Sequence, residues 1–85
     1  MFNGIIKNTG KLNKISKRNN NCIIEILTKL KLRENEIGSS ISCSGTCLTL
    51  EKIKKNLLTF YVSKETLNRT TFKSSKKGDA VNLEK

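Results

Sequence analysis

Between Leu58 and Ser63 the chain alternates without a break, with Leu58, Phe60 and Val62 on one parity and Thr59, Tyr61 and Ser63 on the other. A period of two puts successive side chains on opposite faces of an extended strand, so this segment has one apolar and one polar face. A strand patterned this way needs an antiparallel sheet with a core on one side. Its partner precedes it directly. Thr46 to Ile53 is β-prone, and Lys54-Lys55-Asn56 between the two is a short loop whose Asn can take the left-handed backbone that a three-residue hairpin needs.

The rest of the chain has the same character. Ile5 to Ile15 has no helical period and reads as an extended strand, bent or bulged near Thr9-Gly10. Lys17 to Asn21 is a polar turn, and Cys22 to Leu27 is a strand rich in β-branched residues. Thr28 to Glu36 reads as a helical turn around Leu30 and Leu32, and Ile37-Gly38 leads into the central strands. Lys64 to Leu67 is one helical turn, Thr70 to Phe72 extends again, and Ser74 to Asp79 is a polar turn before a last strand from Ala80 to Glu84. The expectation is an all-β fold, a six-stranded antiparallel Greek-key barrel with one or two short helices, and residues 1–85 forming a single domain.

Composition narrows the chemistry. There is no His, which removes the usual general base at neutral pH. Cys22, Cys43 and Cys47 cannot all pair, and too few thiols are present for a closed four-ligand zinc site, so reduced cysteines and no metal are expected. No run reaches the length of about 20 apolar residues that spans a bilayer. Met1 to Ile6, followed at once by Lys7, is too short for a secretory signal. The chain therefore reads as cytoplasmic, with no membrane partner.

A net charge of +10 invites a basic nucleic-acid-binding barrel as an alternative. The positive charge is nearly all scattered Lys, with Arg only at Arg18, Arg33 and Arg69, whereas phosphate and base recognition favour the guanidinium fork. A solvated lysine-rich surface is the preferred reading, and no nucleic-acid partner is expected.

Chemistry is expected in Ser42 to Leu50, where small polar residues and Gly45 lead into the strand starting near Thr46. There Cys47 and Thr49 share one face, and Leu48 and Leu50 the other. On the residues alone, Cys47 is either a small buried hydrophobe beside a glycine bend or a group facing a ligand.

Four segments in register carry a resemblance: Met1-Phe2-Asn3-Gly4-Ile5-Ile6, Ser44-Gly45-Thr46-Cys47-Leu48-Thr49, Glu65-Thr66-Leu67-Asn68-Arg69-Thr70, and Gly78-Asp79-Ala80-Val81-Asn82-Leu83-Glu84. In this order and spacing the chain resembles the amino-terminal lumazine-binding domain of the riboflavin synthase family. That family opens M-F-T-G-I, carries N-G-x-C-L-T, and follows with E-T-L-x-x-T and G-D-x-V-N-x-E. Asn3 stands here for the usual Thr, Ser44 for the usual Asn and Lys85 where Arg is common. Asn3 and Ser44 keep hydrogen-bonding capacity.

The resemblance implies the same barrel, present as the first of two tandem copies. It also implies a reaction in which two molecules of 6,7-dimethyl-8-ribityllumazine exchange a four-carbon unit, giving riboflavin and 5-amino-6-ribitylaminouracil, with no external cofactor. The implied partners are the lumazine substrate, the riboflavin product and a second lumazine-binding domain. An isolated copy is expected to be catalytically incomplete and able to pair as a homodimer. By matched position the ligand residues would be Gly4, Ile5 and Ile6; Cys47, Leu48 and Thr49; and Tyr61, Val62, Ser63, Lys64, Glu65 and Thr66. Ser40 and Cys47, by the reacting ring, would be the candidate catalytic residues, with Cys47 either a nucleophile or a pocket wall. Each has a plainer reading beside it: Glu65 paired with a lysine, Thr66 capping a turn, Ser40 a strand-edge hydroxyl. A non-catalytic flavin-binding protein on the same fold is the other alternative.

Overall fold

Strand β2 (Asn21–Thr28) and strand β5 (Leu57–Ser63) form the backbone of the structure, a computed structural model describing residues 7–18, 21–68 and 75–84. They pair antiparallel without interruption from Asn21↔Ser63 to Leu27↔Leu57. The pairs Cys22↔Val62, Ile24↔Phe60 and Ile26↔Leu58 all face inward and are buried. The alternation that marks Leu58 to Ser63 is thus matched by its neighbour across the ladder, and the two strands bury one continuous apolar face.

The other strands close the sheet on itself. They are β1 (Lys7–Arg18), β3 (Ser40–Cys43), β4 (Thr46–Lys54) and β6 (Ala80–Glu84), and the order around the closed barrel is β1-β2-β5-β4-β3-β6. All pairings are antiparallel. β3, β4 and β5 follow one another as hairpins, and β6 returns beside β3, which is the Greek-key connection. A single core of Leu12, Ile24, Ile41, Leu48, Leu50, Phe60, Val81, Leu83 and their neighbours fills the interior.

Two strands carry one irregularity each, and in both a lysine explains it. In β1 the register with β2 shifts between Leu12 and Lys14. Strict alternation from buried Gly10 and Leu12 would point Lys14 into the core. The extra residue, Asn13, turns Lys14 outward and lets Ile15 pack against the core instead. In β4 the register with β5 shifts between Leu50 and Lys52, which leaves both Glu51 and Lys52 exposed and returns Ile53 to the inside. A bulge is less costly than a desolvated ammonium group.

The β1 bulge therefore lies at Asn13 and not at Thr9-Gly10. Gly10 stays in the ladder, opposite Thr28 and Val81, and is needed for a close approach. A Cβ there would come within 2.7 Å of both Ile26 Cγ2 and the Leu27 carbonyl oxygen.

Other expectations also need correction. Thr28 to Glu36 is not a helical turn; it holds a 3-10 turn at Glu34–Glu36 only, with the Glu36 carboxylate accepting the Arg33 N–H at 2.7 Å. Leu30 and Leu32, two residues apart, are both buried and pack into the core cluster, a spacing that suits an extended strip rather than a helix face. The central hairpin loop has two residues, Lys55-Asn56, because Lys54 pairs with Leu57. Lys55, not Asn56, takes the positive φ of 53°. Asn56 ties the loop down: its carbonyl accepts the Thr28 N–H at 2.9 Å and its Oδ1 accepts Lys31 Nζ at 2.9 Å. The helical turn is α1 (Lys64–Asn68), anchored by buried Leu67. The extension expected at Thr70 to Phe72 falls outside the described residues. The strand β3, not singled out in the sequence, completes the six.

Candidate functional site

β4 and β5 pair from Lys54↔Leu57 as far as Thr49↔Tyr61 and no further. Both strands continue beyond that point. Thr46, Cys47 and Leu48 keep their pairing with β3, while Val62 and Ser63 keep theirs with β2. The sheet therefore forks, and the fork is a groove of about 150 Å³ lined by Cys47, Leu48, Thr49, Tyr61, Val62, Ser63 and Thr66.

Alternation decides what each residue presents. Leu48 and Val62 are buried, so their side chains belong to the core and only their backbone borders the groove. Cys47 is exposed, and Thr49 and Tyr61 are half-buried on the outer face. Cys47 is thus not the buried hydrophobe that one reading allowed. Ser40 is exposed and stands opposite Thr49 across the β3–β4 ladder, so Ser40, Thr49 and Tyr61 form one row over three strands.

Ser63 ends β5 and starts α1. Its Oγ accepts the Thr66 N–H at 3.1 Å, the geometry of a helix N-cap, and its hydroxyl donates to Thr66 Oγ1 at 2.9 Å. Thr66 is thus capped rather than capping, and Ser63 is the cap. The Thr66 hydroxyl, accepting from Ser63, retains its own proton for a third group. Lys64 and Glu65 are exposed on the same short helix, next to the groove and outside its lining. Gly4, Ile5 and Ile6 fall outside the described residues. Of the residues singled out in the sequence, seven converge on this fork, and three more (Ser40, Lys64, Glu65) border it.

The three thiols differ in environment. Cys22 and Cys43 are buried, whereas Cys47 is exposed. Burial, reinforced by the nearby Cys47, pushes the Cys43 thiol from its ordinary value of 9.0 up to about 12, and its Sγ lies 3.6 Å from the Ile41 carbonyl oxygen. Burial also raises Cys22, against the lowering effect of Lys17. Among the described residues no three His, Cys, Asp or Glu side chains are grouped to hold a metal ion, and no helix is long and apolar enough to cross a membrane.

A larger open trough of about 650 Å³ runs past Asn8, Gly10, Leu27, Lys29 and Asn56. It contains none of the singled-out residues, and the Thr28 hydroxyl on its wall is already engaged, donating to the Thr9 carbonyl and accepting from Leu30 N–H. Size favours the trough, but chemistry favours the fork, where hydroxyls, a thiol and strand edges without a β4–β5 partner converge. The end of that pairing is what the sequence did not announce; pattern alone reads both strands as continuing.

The described residues thus form a six-stranded Greek-key barrel whose wall forks between β4 and β5. Comparison with known proteins assigns it. The family described as the lumazine binding domain matches residues 3–85. Riboflavin synthase of Photobacterium phosphoreum is 40% identical over 86 residues, covering 100% of this chain and 39% of that protein. The riboflavin synthases of Bacillus subtilis (strain 168) and Escherichia coli (strain K12) are 35% and 37% identical, again over 100% of this chain and 40% of theirs. The chain belongs to the lumazine-binding domain family, and it spans about two-fifths of the length of these curated relatives.

Proposed function

We propose that this chain is the amino-terminal lumazine-binding unit of a riboflavin synthase and that it binds 6,7-dimethyl-8-ribityllumazine, or the product riboflavin, in the fork between β4 and β5. The observation that carries the reading is the fork itself. A flat heterocycle with an amide-like edge can take the place of the missing strand pairs, because its N–H and C=O groups repeat the ladder's donor and acceptor pattern. The Thr49 hydroxyl and the Cys47 thiol sit on the outer face beside it, with Tyr61 on the opposite wall. Thr66 offers its proton toward the polar tail, and Lys64 and Glu65 border the end where ribityl hydroxyls would lie. Gly4, Ile5 and Ile6 are assigned to the ligand by matched position.

A groove of about 150 Å³ is smaller than the roughly 300 Å³ at which ligand pockets begin, so the site is one wall of two. A second lumazine-binding domain, in the same or another chain, supplies the facing wall with its own lumazine. The substrate stores the carbanion formed at its C7 methyl group, so the protein's work is to hold two rings face to face. Positioning of that kind contributes on the order of 7–11 kcal/mol. Ser40 and Cys47 border the reacting ring. The absence of His is compatible with this chemistry, since no strong protein base is required.

Fluorescence titration tests the binding claim: quenching of riboflavin emission is expected as protein is added, and no quenching at high micromolar protein overturns it. Activity is expected only when a second lumazine-binding domain is added. Binding that persists with no activity under that addition favours a non-catalytic flavin-binding protein instead.

A further inference from the structure

Among the described residues β3 and β6 share the shortest seam, with two registered pairs, Ser42↔Glu84 and Cys43↔Leu83. Past Cys43 the chain reverses at Ser44-Gly45, where φ is 51° and 87°. Positive φ at both central residues is the condition of a type I′ hairpin turn. A strand residue at this point would exchange two backbone hydrogen bonds with Asn82. Ser44 supplies one in the ordinary way, its N–H donating to the Asn82 carbonyl at 2.6 Å. The return bond runs from the Asn82 N–H to Ser44 Oγ at 3.1 Å. A side-chain oxygen thus replaces a backbone carbonyl in the ladder, because a residue with φ of 51° no longer has strand geometry.

We propose that Ser44 is a positioning residue for the groove: its hydroxyl completes barrel closure between β3 and β6 and thereby holds the turn from which Cys47 and Thr49 project. The inference rests on reading the fork as the lumazine site. Its physical basis is short range. Cys47 is three residues past Ser44 and paired with Ser42, so a turn released from β6 carries the start of β4 with it, and the β4 wall of the fork moves. Of the two bonds between Ser44 and Asn82, one joins backbone to backbone and the other joins the Asn82 backbone to the Ser44 side chain. Asn in place of Ser44 would keep an acceptor oxygen and tolerate the positive φ.

The test compares wild type with S44A and S44N at a temperature well below unfolding. In S44A the Asn82 amide is expected to exchange with solvent about five- to tenfold faster by NMR, and riboflavin affinity to fall roughly three- to tenfold. The iodoacetamide rate at Cys47, which reads the groove without ligand, is expected to change by at least about twofold. S44N is expected to restore all three. Unchanged Asn82 exchange in S44A overturns the clamp, and faster exchange with an unchanged Cys47 rate overturns its link to the groove. Shifts in exchange and alkylation in a protein that never binds riboflavin leave the clamp standing and overturn the lumazine site.

Discussion

β5 has two neighbours and treats them differently. Toward β2 it is paired along its whole length, from Leu57 to Ser63. Toward β4 it is paired only as far as Tyr61. On the β2 side every backbone group that faces the partner is used, and the inward side chains Ile24, Ile26, Leu58 and Phe60 are fully buried, so that region contributes stability and offers nothing to a ligand. On the β4 side the sheet gives up its last pairs, and the outward side chains around the gap, Cys47, Thr49, Tyr61, Ser63 and Thr66, are exposed or half-exposed and close together. One strand thus serves as core on one edge and as one wall of an open groove on the other, and the change happens within two residues.

The largest test of this contrast is at the fully paired edge. Phe60→Ala removes the largest fully buried side chain among the described residues and is expected to cost about 3–5 kcal/mol, a large part of the stability of a domain this small. Urea unfolding is the measurement, and a loss below about 1 kcal/mol would show that the β2–β5 face is not the mechanical centre of the barrel.

Cys43 gives the next effect and separates buried from exposed thiols. Its folded pKa is raised to about 12 from an ordinary value of 9.0. The folded state therefore holds a proton that the unfolded state has lost between those limits. The corresponding stability is intact below pH 9 and is lost as pH rises toward 12, by up to about 1.4 kcal/mol per pH unit. Cys22 shifts in the same direction. Urea midpoints at pH 8 and pH 10 should fall more steeply for wild type than for Cys43→Ala; equal slopes would show that Cys43 does not resist ionisation in the fold.

The smallest effect belongs to the fork. Thr49→Val keeps the β-branch and removes the hydroxyl, so riboflavin affinity is expected to drop about three- to tenfold while the unfolding free energy changes by no more than about 0.5 kcal/mol. The reverse outcome, unchanged binding with lowered stability, would assign Thr49 to the sheet rather than to the ligand.

Much of this was legible in the sequence, for reasons that differ along the chain. β6 is read to the residue, because Gly78-Asp79 and the alternation after Ala80 are local signals. The Gly78 N–H donates to the Leu12 carbonyl, and the Asp79 carboxylate accepts the Lys76 N–H, so that motif builds a turn docked on β1. The bulge was misplaced because glycine suggests one, whereas the actual cause is the inward parity of Lys14, visible only once Leu12 is known to be core. Leu30 and Leu32 looked like a weak helix because neither shows what it packs against. β3 was missed because four residues with only two inward side chains, Ile41 and Cys43, carry little pattern.

By itself the sequence determined the alternation, the turn residues and the set of hydroxyls, thiol and carboxylate that would gather near one another if the strands paired in register. Those are local quantities, set by side-chain chemistry and a period of two. Only the tertiary structure decided where pairing stops, which thiols are buried, and that the Ser44 hydroxyl answers Asn82 across the closing seam. Each of these depends on contacts between segments far apart in the chain, and no local pattern records the point at which two paired strands part.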